Sequence, residues 1–232
     1  MSVVAIVQAR MTSTRLPGKV LMDLAGAPML AQELRRLARA RTIDEVVVAT
    51  TTNAADDPVA AVARAEGAAV FRGDEHDVLG RYRRAAAEAR AEVVVRVTAD
   101  CPLLDPTVVD RVVAALDRAH DYASNVVERT FPHGLDCEAL HRDTLERVDR
   151  LGTSPAAREH VTWLINSERP DLFARASVTD ERDNSDLSWT VDRAEDLEHV
   201  RRLYETFDLA AHPLPYPELV ERVRAESGLA PG

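Results

Sequence analysis

Through the first 120 or so residues, short runs of β-branched side chains alternate with Ala/Arg/Leu-rich stretches of helical period. Val3–Val7, Glu45–Thr51, Ala69–Phe71 and Glu92–Val97 are apolar at nearly every position rather than at every second one. Strands of that kind are buried on both faces, which is the signature of a parallel sheet between two layers of helix. Helices are expected over Pro28–Arg41, from Asp56-Asp57-Pro58 to Glu66, from about Glu75 to Arg90, and from Asp105-Pro106 to about Ala119. Proline in the first turn, with Asp ahead of it, marks a helix start.

The pattern then loses its regularity. Tyr122–Val127 and Leu135–Leu140 read as strands around a turn at Pro132-His133-Gly134. Helices are expected at about Arg142–Arg150 and Pro155–Ser167, strands at Phe173–Val178 and Leu187–Val191, and helices at Ala194–Phe207 and about Pro217–Glu226, before a Gly/Pro tail. No internal repeat or low-complexity linker interrupts the chain. The expectation is an α/β fold, with a mostly parallel sheet, helices on both faces and an irregular second-half elaboration.

Composition narrows the function classes. A chain of 232 residues, 46% hydrophobic and 29% charged, can bury a core without disulfides or metals. The net charge of −10 argues against a nucleic-acid binder, which relies on excess positive charge. No apolar run reaches the length of a membrane span, and no basic segment precedes the short apolar run at the N-terminus. A cytoplasmic location is the default expectation. Cys101 and Cys137 are too few for a disulfide scaffold and read as small buried hydrophobes. Of the 29 basic residues, 28 are arginine and one, Lys19, is lysine. A coding bias accounts for the arginines. It leaves Lys19 as the position where a planar fork does not serve and a compact point charge does.

Three segments carry candidate chemistry. Gln8-Ala9-Arg10-Met11-Thr12-Ser13-Thr14-Arg15-Leu16-Pro17-Gly18-Lys19 follows the first strand directly, at the end of the sheet where open α/β proteins bind ligands. Its small and hydroxyl residues free backbone N–H groups, and Arg10, Arg15 and Lys19 add three cations, a set suited to a triphosphate. The glycine spacing matches neither a Walker A loop nor a dinucleotide turn. Asp100 lies just past the strand Glu92–Val97 and faces the same crevice, where a Mg²⁺ bridging phosphates would sit. Asp105, before Pro106, reads as an ordinary N-cap. Asp192, between an expected strand and helix, reads equally as a cap or as a second metal ligand. A glycine-bearing loop at Arg72-Gly73-Asp74-Glu75-His76-Asp77, with Arg81 and Tyr82 after it, can present backbone groups to a base or ribose. Ser124-Asn125, Arg129, His133-Gly134, Asp136 and Glu138 form a polar cluster, and His160 and Trp163 share an amphipathic helix.

Taken together these motifs resemble the cytidylyltransferases of the spore coat polysaccharide biosynthesis protein F type, relatives of the CMP-sialate and CMP-Kdo synthetases. The resemblance runs through Val4–Met11, Ser13–Lys19, Val46–Thr52, Asp77–Tyr82, Asp100–Pro106 and Arg158–Val161 to Trp189-Thr190-Val191-Asp192. It implies a Rossmann-like nucleotidyltransferase fold over residues 1–232, with a nucleotide-binding half (1–120) and an acceptor-binding, dimerising half (121–232). It implies Mg²⁺, held by Asp100 and Asp192, and a nucleoside triphosphate, most often CTP. Arg10 and Lys19 match positions that grip the triphosphate and, with Asp100, would be catalytic. Gln8, Ala9, Ser13, Arg15, Thr50, Thr51, Gly73 and Asp77 would complete the nucleotide site. Asn125, Arg129, His133, Asp136, Glu138 and His160 would meet an anionic acceptor, whether a sugar acid, a sugar phosphate or a phosphonate. Two residues depart from the family pattern. Ala99 replaces a usual glycine, and His133 stands where arginine is expected, so the acceptor here would differ in charge or shape. The alternatives are a UTP- or GTP-dependent sugar-phosphate nucleotidyltransferase, a GT-A-like glycosyltransferase (whose second metal aspartate is missing after Asp100), and a non-catalytic nucleotide-binding protein.

Overall fold

Seven strands form one sheet, in the order Ala69–Gly73, Glu45–Thr51, Val3–Gln8, Val93–Thr98, Glu138–His141, Tyr122–Ser124 and Arg175–Ser177, in the computed structural model, which describes residues 2–226 and 228–229. The strands β1 (Val3–Gln8), β4 (Glu45–Thr51), β5 (Ala69–Gly73) and β6 (Val93–Thr98) are mutually parallel. Alternate residues of β1 feed two separate apolar clusters. Val3, Ala5 and Val7 join one, and Val4 and Ile6 join the other. Burial on both faces is therefore the physical origin of the unbroken apolar runs.

Five helices cover the first face: α1 (Met29–Leu37), α2 (Asp57–Ala65), α4 (Pro106–Ala115), α7 (Ala194–Phe207) and α8 (Tyr216–Ala225). Leu30, Val59, Val109, Val200 and Leu219 carry their contribution to its core. On the other face, α3 (Val78–Glu88) and α5 (Arg142–Leu151) bring Leu79, Tyr82 and Leu145 to the second cluster. The Asp105 carboxylate accepts from Thr107 N at 2.8 Å and caps α4 as expected. It also accepts from Tyr216 N, which fixes the start of α8.

β8 (Glu138–His141) runs antiparallel to β6, and β7 (Tyr122–Ser124) antiparallel to β8, so the second half extends the same sheet. β9 (Arg175–Ser177) closes the edge parallel to β7. Here several expected bounds change. The strand at Tyr122 stops at Ser124, because Asn125 turns its side chain to Leu135 O and Cys137 N in place of a ladder. Leu187–Val191 is no strand, apart from a single bridge between His133 and Ser188. Its Trp189 and Val191 are instead buried one at a time. Gly134 makes that close approach feasible. It lies at φ +93°, and a Cβ there would stand 2.7 Å from Thr190 N.

The helix expected over Pro155–Ser167 breaks in two, into α6 (Pro155–Glu159) and a wider turn at Leu164–Glu168. Val161 sits between them at φ +39°, a conformation β-branched residues rarely adopt. The sequence pattern also passes over a two-residue hairpin, β2 (Asp23–Leu24) with β3 (Ala27–Pro28), turned at Ala25-Gly26. Most of the Gly/Pro tail lies outside the described residues.

Candidate active site

The loop after β1 folds over the carboxyl ends of the parallel strands and is tied down at both ends. Met11 N donates to Asp56 Oδ1 at 2.7 Å, and Gly18 N donates to Met11 O at 2.9 Å. Gly18 adopts φ +74°, open to glycine at little cost, and this turn aims Lys19 inward. Lys19 is 8% exposed, an unusual place for a lysine, and its Nζ meets three acceptors. These are Val191 O at 2.7 Å, Asp100 Oδ2 at 3.0 Å and Asp192 Oδ1 at 3.0 Å.

The two aspartates come from segments far apart in sequence, which the backbone joins through Val191 N donating to Asp100 O at 2.8 Å. Asp192 does not cap α7. That task falls to Asp196, whose carboxylate accepts from Asp192 N and Arg193 N and leaves the Asp192 side chain to face the loop. Burial works to raise the Asp100 carboxyl. The nearby Lys19 ammonium and the Thr98 and Lys19 hydrogen bonds outweigh it and hold the group below the ordinary range.

These residues line a cleft of about 340 Å³. Among the residues expected at the nucleotide, it brings together Gln8, Ala9, Arg10, Ser13, Arg15, Lys19 and Asp100, with Asp192 beside them. Four others are placed elsewhere. Thr50 and Thr51 are fully buried in β4, and the Thr51 hydroxyl donates to Asp56. Gly73 ends β5 in the ladder with Thr51. Asp77 caps α3, accepting from Gly80 N at 3.0 Å and pairing with Arg158.

A second cavity of about 400 Å³ adjoins the cleft, and Arg96, Thr98 and His160 line both. Arg129, Asp136, Glu138 and His160 of the expected acceptor residues face it. Asn125 and His133 do not. Asn125 is buried in backbone contacts, and His133 is exposed, with its backbone paired to Leu187 and Trp189. Glu138 is held by Arg96 Nη1, by Tyr122 Oη at 2.5 Å and by Thr162 Oγ1 at 2.7 Å. Burial raises its carboxyl, but Arg96 and the two hydroxyls pull it down further. Arg129 and Asp136 form a two-bond fork at 2.7 and 2.8 Å.

Arg96 escaped the sequence reading, although a single charge inside Val-Val-Val-Arg-Val-Thr was a usable signal. Trp163, 39% exposed, lines the second cavity with its ring 5.9 Å from that of His160. Glu33 on α1 gave no signal at all. It is fully buried behind this region, neither oxygen has a hydrogen-bond partner, and burial followed by the charge of Asp100 raises its carboxyl well above normal.

A mostly parallel sheet carrying a cation-lined cleft at its strand ends, open to a second polar cavity, defines an α/β nucleotidyltransferase. The cytidylyltransferase family profile matches residues 4–213, and the chain belongs to that family. It is 31% identical to the spore coat polysaccharide biosynthesis protein SpsF of Bacillus subtilis, over 86% of this chain and 85% of that one. It is 30% identical to a 3-deoxy-manno-octulosonate cytidylyltransferase of Anaeromyxobacter dehalogenans, over 96% of both chains. The solved structure of a cytidylyltransferase from Leptospira borgpetersenii superposes with a TM-score of 0.94 at 32% identity, covering 99% of this chain and 97% of that one.

Proposed function

We propose that the protein transfers CMP from CTP to an anionic sugar-type acceptor (a sugar acid, sugar phosphate or phosphonate) with release of pyrophosphate. The observation that carries this reading is the convergence of Asp100 and Asp192 on Lys19, in a cleft with Arg10 and Arg15 that opens onto a second cavity. The relatives named for cytidylyl transfer supply the choice of CTP and of a sugar acid.

The donor set fits Mg²⁺. Two carboxylates, Asp100 and Asp192, each lie 3.0 Å from Lys19 Nζ, and magnesium takes one or two while keeping its other positions for water and phosphate. Asp100 and Asp192 would hold the ion, which when bound neutralises phosphate charge and lowers the pKa of an acceptor hydroxyl. The remaining work falls to the chain itself. Arg10, Arg15 and Lys19 bind the phosphates and stabilise charge as the α-phosphorus–oxygen bond to pyrophosphate breaks. The second cavity holds the acceptor so that its oxygen approaches the α-phosphorus in line, which supplies much of the rate by positioning alone. His160, at the junction of the two cavities, stands where a hydroxyl acceptor gives up its proton.

Net charge −10 supports a small-molecule rather than a nucleic-acid partner. No helix among the described residues is long and apolar enough to cross a membrane, consistent with a cytoplasmic site. Among the described residues, the exposed large apolar side chains Val127, Leu151, Trp163 and Leu172 fall in the second half, the half through which a homodimer is expected. Light scattering giving a monomer at micromolar concentration would refute the dimer.

The functional test is pyrophosphate release with Mg²⁺, each of the four nucleoside triphosphates, and a panel of sugar acids, sugar phosphates and phosphonates. CTP with one acceptor is the expected pair, and Asp100→Asn should abolish it. Turnover with UTP or GTP in place of CTP would reassign the base. Silence with every nucleotide, without CTP binding, would overturn the reading.

A further inference from the structure

Every cation of the first loop is already engaged by a carboxylate. Arg10 Nη1 lies 3.4 Å from Glu75 Oε1, Arg15 Nη2 lies 2.7 Å from Asp192 Oδ1, and Lys19 Nζ lies 3.0 Å from both Asp100 Oδ2 and Asp192 Oδ1. One oxygen of Asp192 thus holds two of the three cations. Asp100 is less available, because its other oxygen accepts from Thr98 Oγ1 at 2.6 Å. A triphosphate entering without a metal meets a cluster in which Arg15 and Lys19 are cancelled by Asp100 and Asp192. It would have to take both cations from the same carboxylate oxygen while lying beside that uncompensated charge.

We propose that Asp192 is the residue that makes this enzyme specific for the metal complex of its nucleotide, by holding Arg15 and Lys19 until a divalent ion takes its carboxylate. The proposal rests on the nucleotide reading above. It differs from a plain ligand role in its consequence for metal-free binding. A residue that only ligates metal, once neutralised, weakens the metal complex and relieves the free nucleotide of one repulsive charge, as neutralising Asp100 also would. A residue that also withholds two cations, once removed, lets the free anion bind better still. Asp100 engages Lys19 alone and should matter less.

The test is calorimetric titration of CTP and of inorganic pyrophosphate, in EDTA and in excess Mg²⁺, against the wild type, Asp192→Asn and Asp100→Asn. Asparagine preserves the shape of the side chain. The segment stays anchored by Asp192 N to Asp196 and Val191 N to Asp100 O, and Asp192→Ser replaces the variant should its melting curve show misfolding. In EDTA, Asp192→Asn should bind both ligands at least about tenfold more tightly than wild type, and Asp100→Asn by a smaller factor, while the gain from Mg²⁺ shrinks in both. Metal-free affinity in Asp192→Asn unchanged, weaker, or improved no more than in Asp100→Asn, with wild type binding Mg²⁺-CTP normally, overturns the proposal. Failure of wild type to bind CTP even with Mg²⁺ overturns the nucleotide reading itself, and this inference with it.

Discussion

The two adjoining cavities are both lined by arginine and carboxylate pairs, yet the pairs are built differently. In the cleft, Arg10, Arg15 and Lys19 sit on one loop and meet Glu75, Asp100 and Asp192 from three others, through contacts a ligand can replace. In the second cavity, Arg96 and Glu138 are cross-strand neighbours in β6 and β8, and the carboxylate is further held by Tyr122 and Thr162. Loop-borne ion pairs can exchange partners without moving the sheet. A strand-borne pair with all its acceptors used is part of the frame. The same residue types therefore form exchangeable pairs on loops and a fixed pair between strands, and Arg129 with Asp136 in the second cavity belongs with the former.

The sharpest way to break this contrast is Glu138→Ala. It leaves the partly buried Arg96, its side chain 16% exposed, without its partner and should cost about 3–5 kcal/mol of stability, read as a lowered urea midpoint. A change below about 1 kcal/mol would place Glu138 among the exchangeable groups. The folded-state carboxyl lies below its unfolded value of 4.5, so this contribution is present above that pH and fades as pH falls through the lower, folded value.

Lys19→Arg tests the cleft in the opposite sense. The fold should persist while kcat/KM falls by about 10²–10³, or roughly 2.7–4 kcal/mol. A planar fork cannot meet three acceptors converging on one nitrogen from Asp100, Val191 and Asp192. Substantial retained pyrophosphate release would show that any cation serves there.

Glu33→Gln probes the layer behind both cavities. Burial and the charge of Asp100 raise the folded carboxyl above 4.5, so its contribution to stability is intact below that pH and is lost as pH rises through the folded value. The variant should match wild type near pH 4 and exceed it at pH 8, in paired thermal melts. Equal stability at both values would mean that the carboxyl is not held neutral.

The smallest effect belongs to Arg129→Lys, which keeps the charge and loses the fork to Asp136. Stability should change by less than about 1 kcal/mol for so accessible a pair. The KM of the acceptor should rise by about tenfold if the fork orients it, and stay level if it does not.

Much of the first half was legible because its physics is local. Strands covered on both faces must be apolar throughout, and Asp before Pro caps a helix whatever surrounds it. The loop at residues 8–19 was legible for a related reason, since its cations and small residues are contiguous. The second half resisted because its backbone is held by side chains. Asn125 ends a strand by replacing ladder bonds, and Val161 breaks a helix at a positive φ. Neither leaves a periodic trace.

The sequence by itself determined the parallel sheet, the cation-bearing loop and the singular status of Lys19, since each is set by runs of neighbouring residues. Only the tertiary structure decided that Asp192 faces Lys19 rather than capping α7, that Thr50 and Thr51 are buried in β4, and that Asp77 caps α3. It also decided that Arg96 and Glu138 pair across two strands and that Glu33 lies buried behind Asp100. Each of these depends on which distant segment the fold lays alongside, and the partner of a charge 42 or 173 residues away is a property of packing, not of spacing.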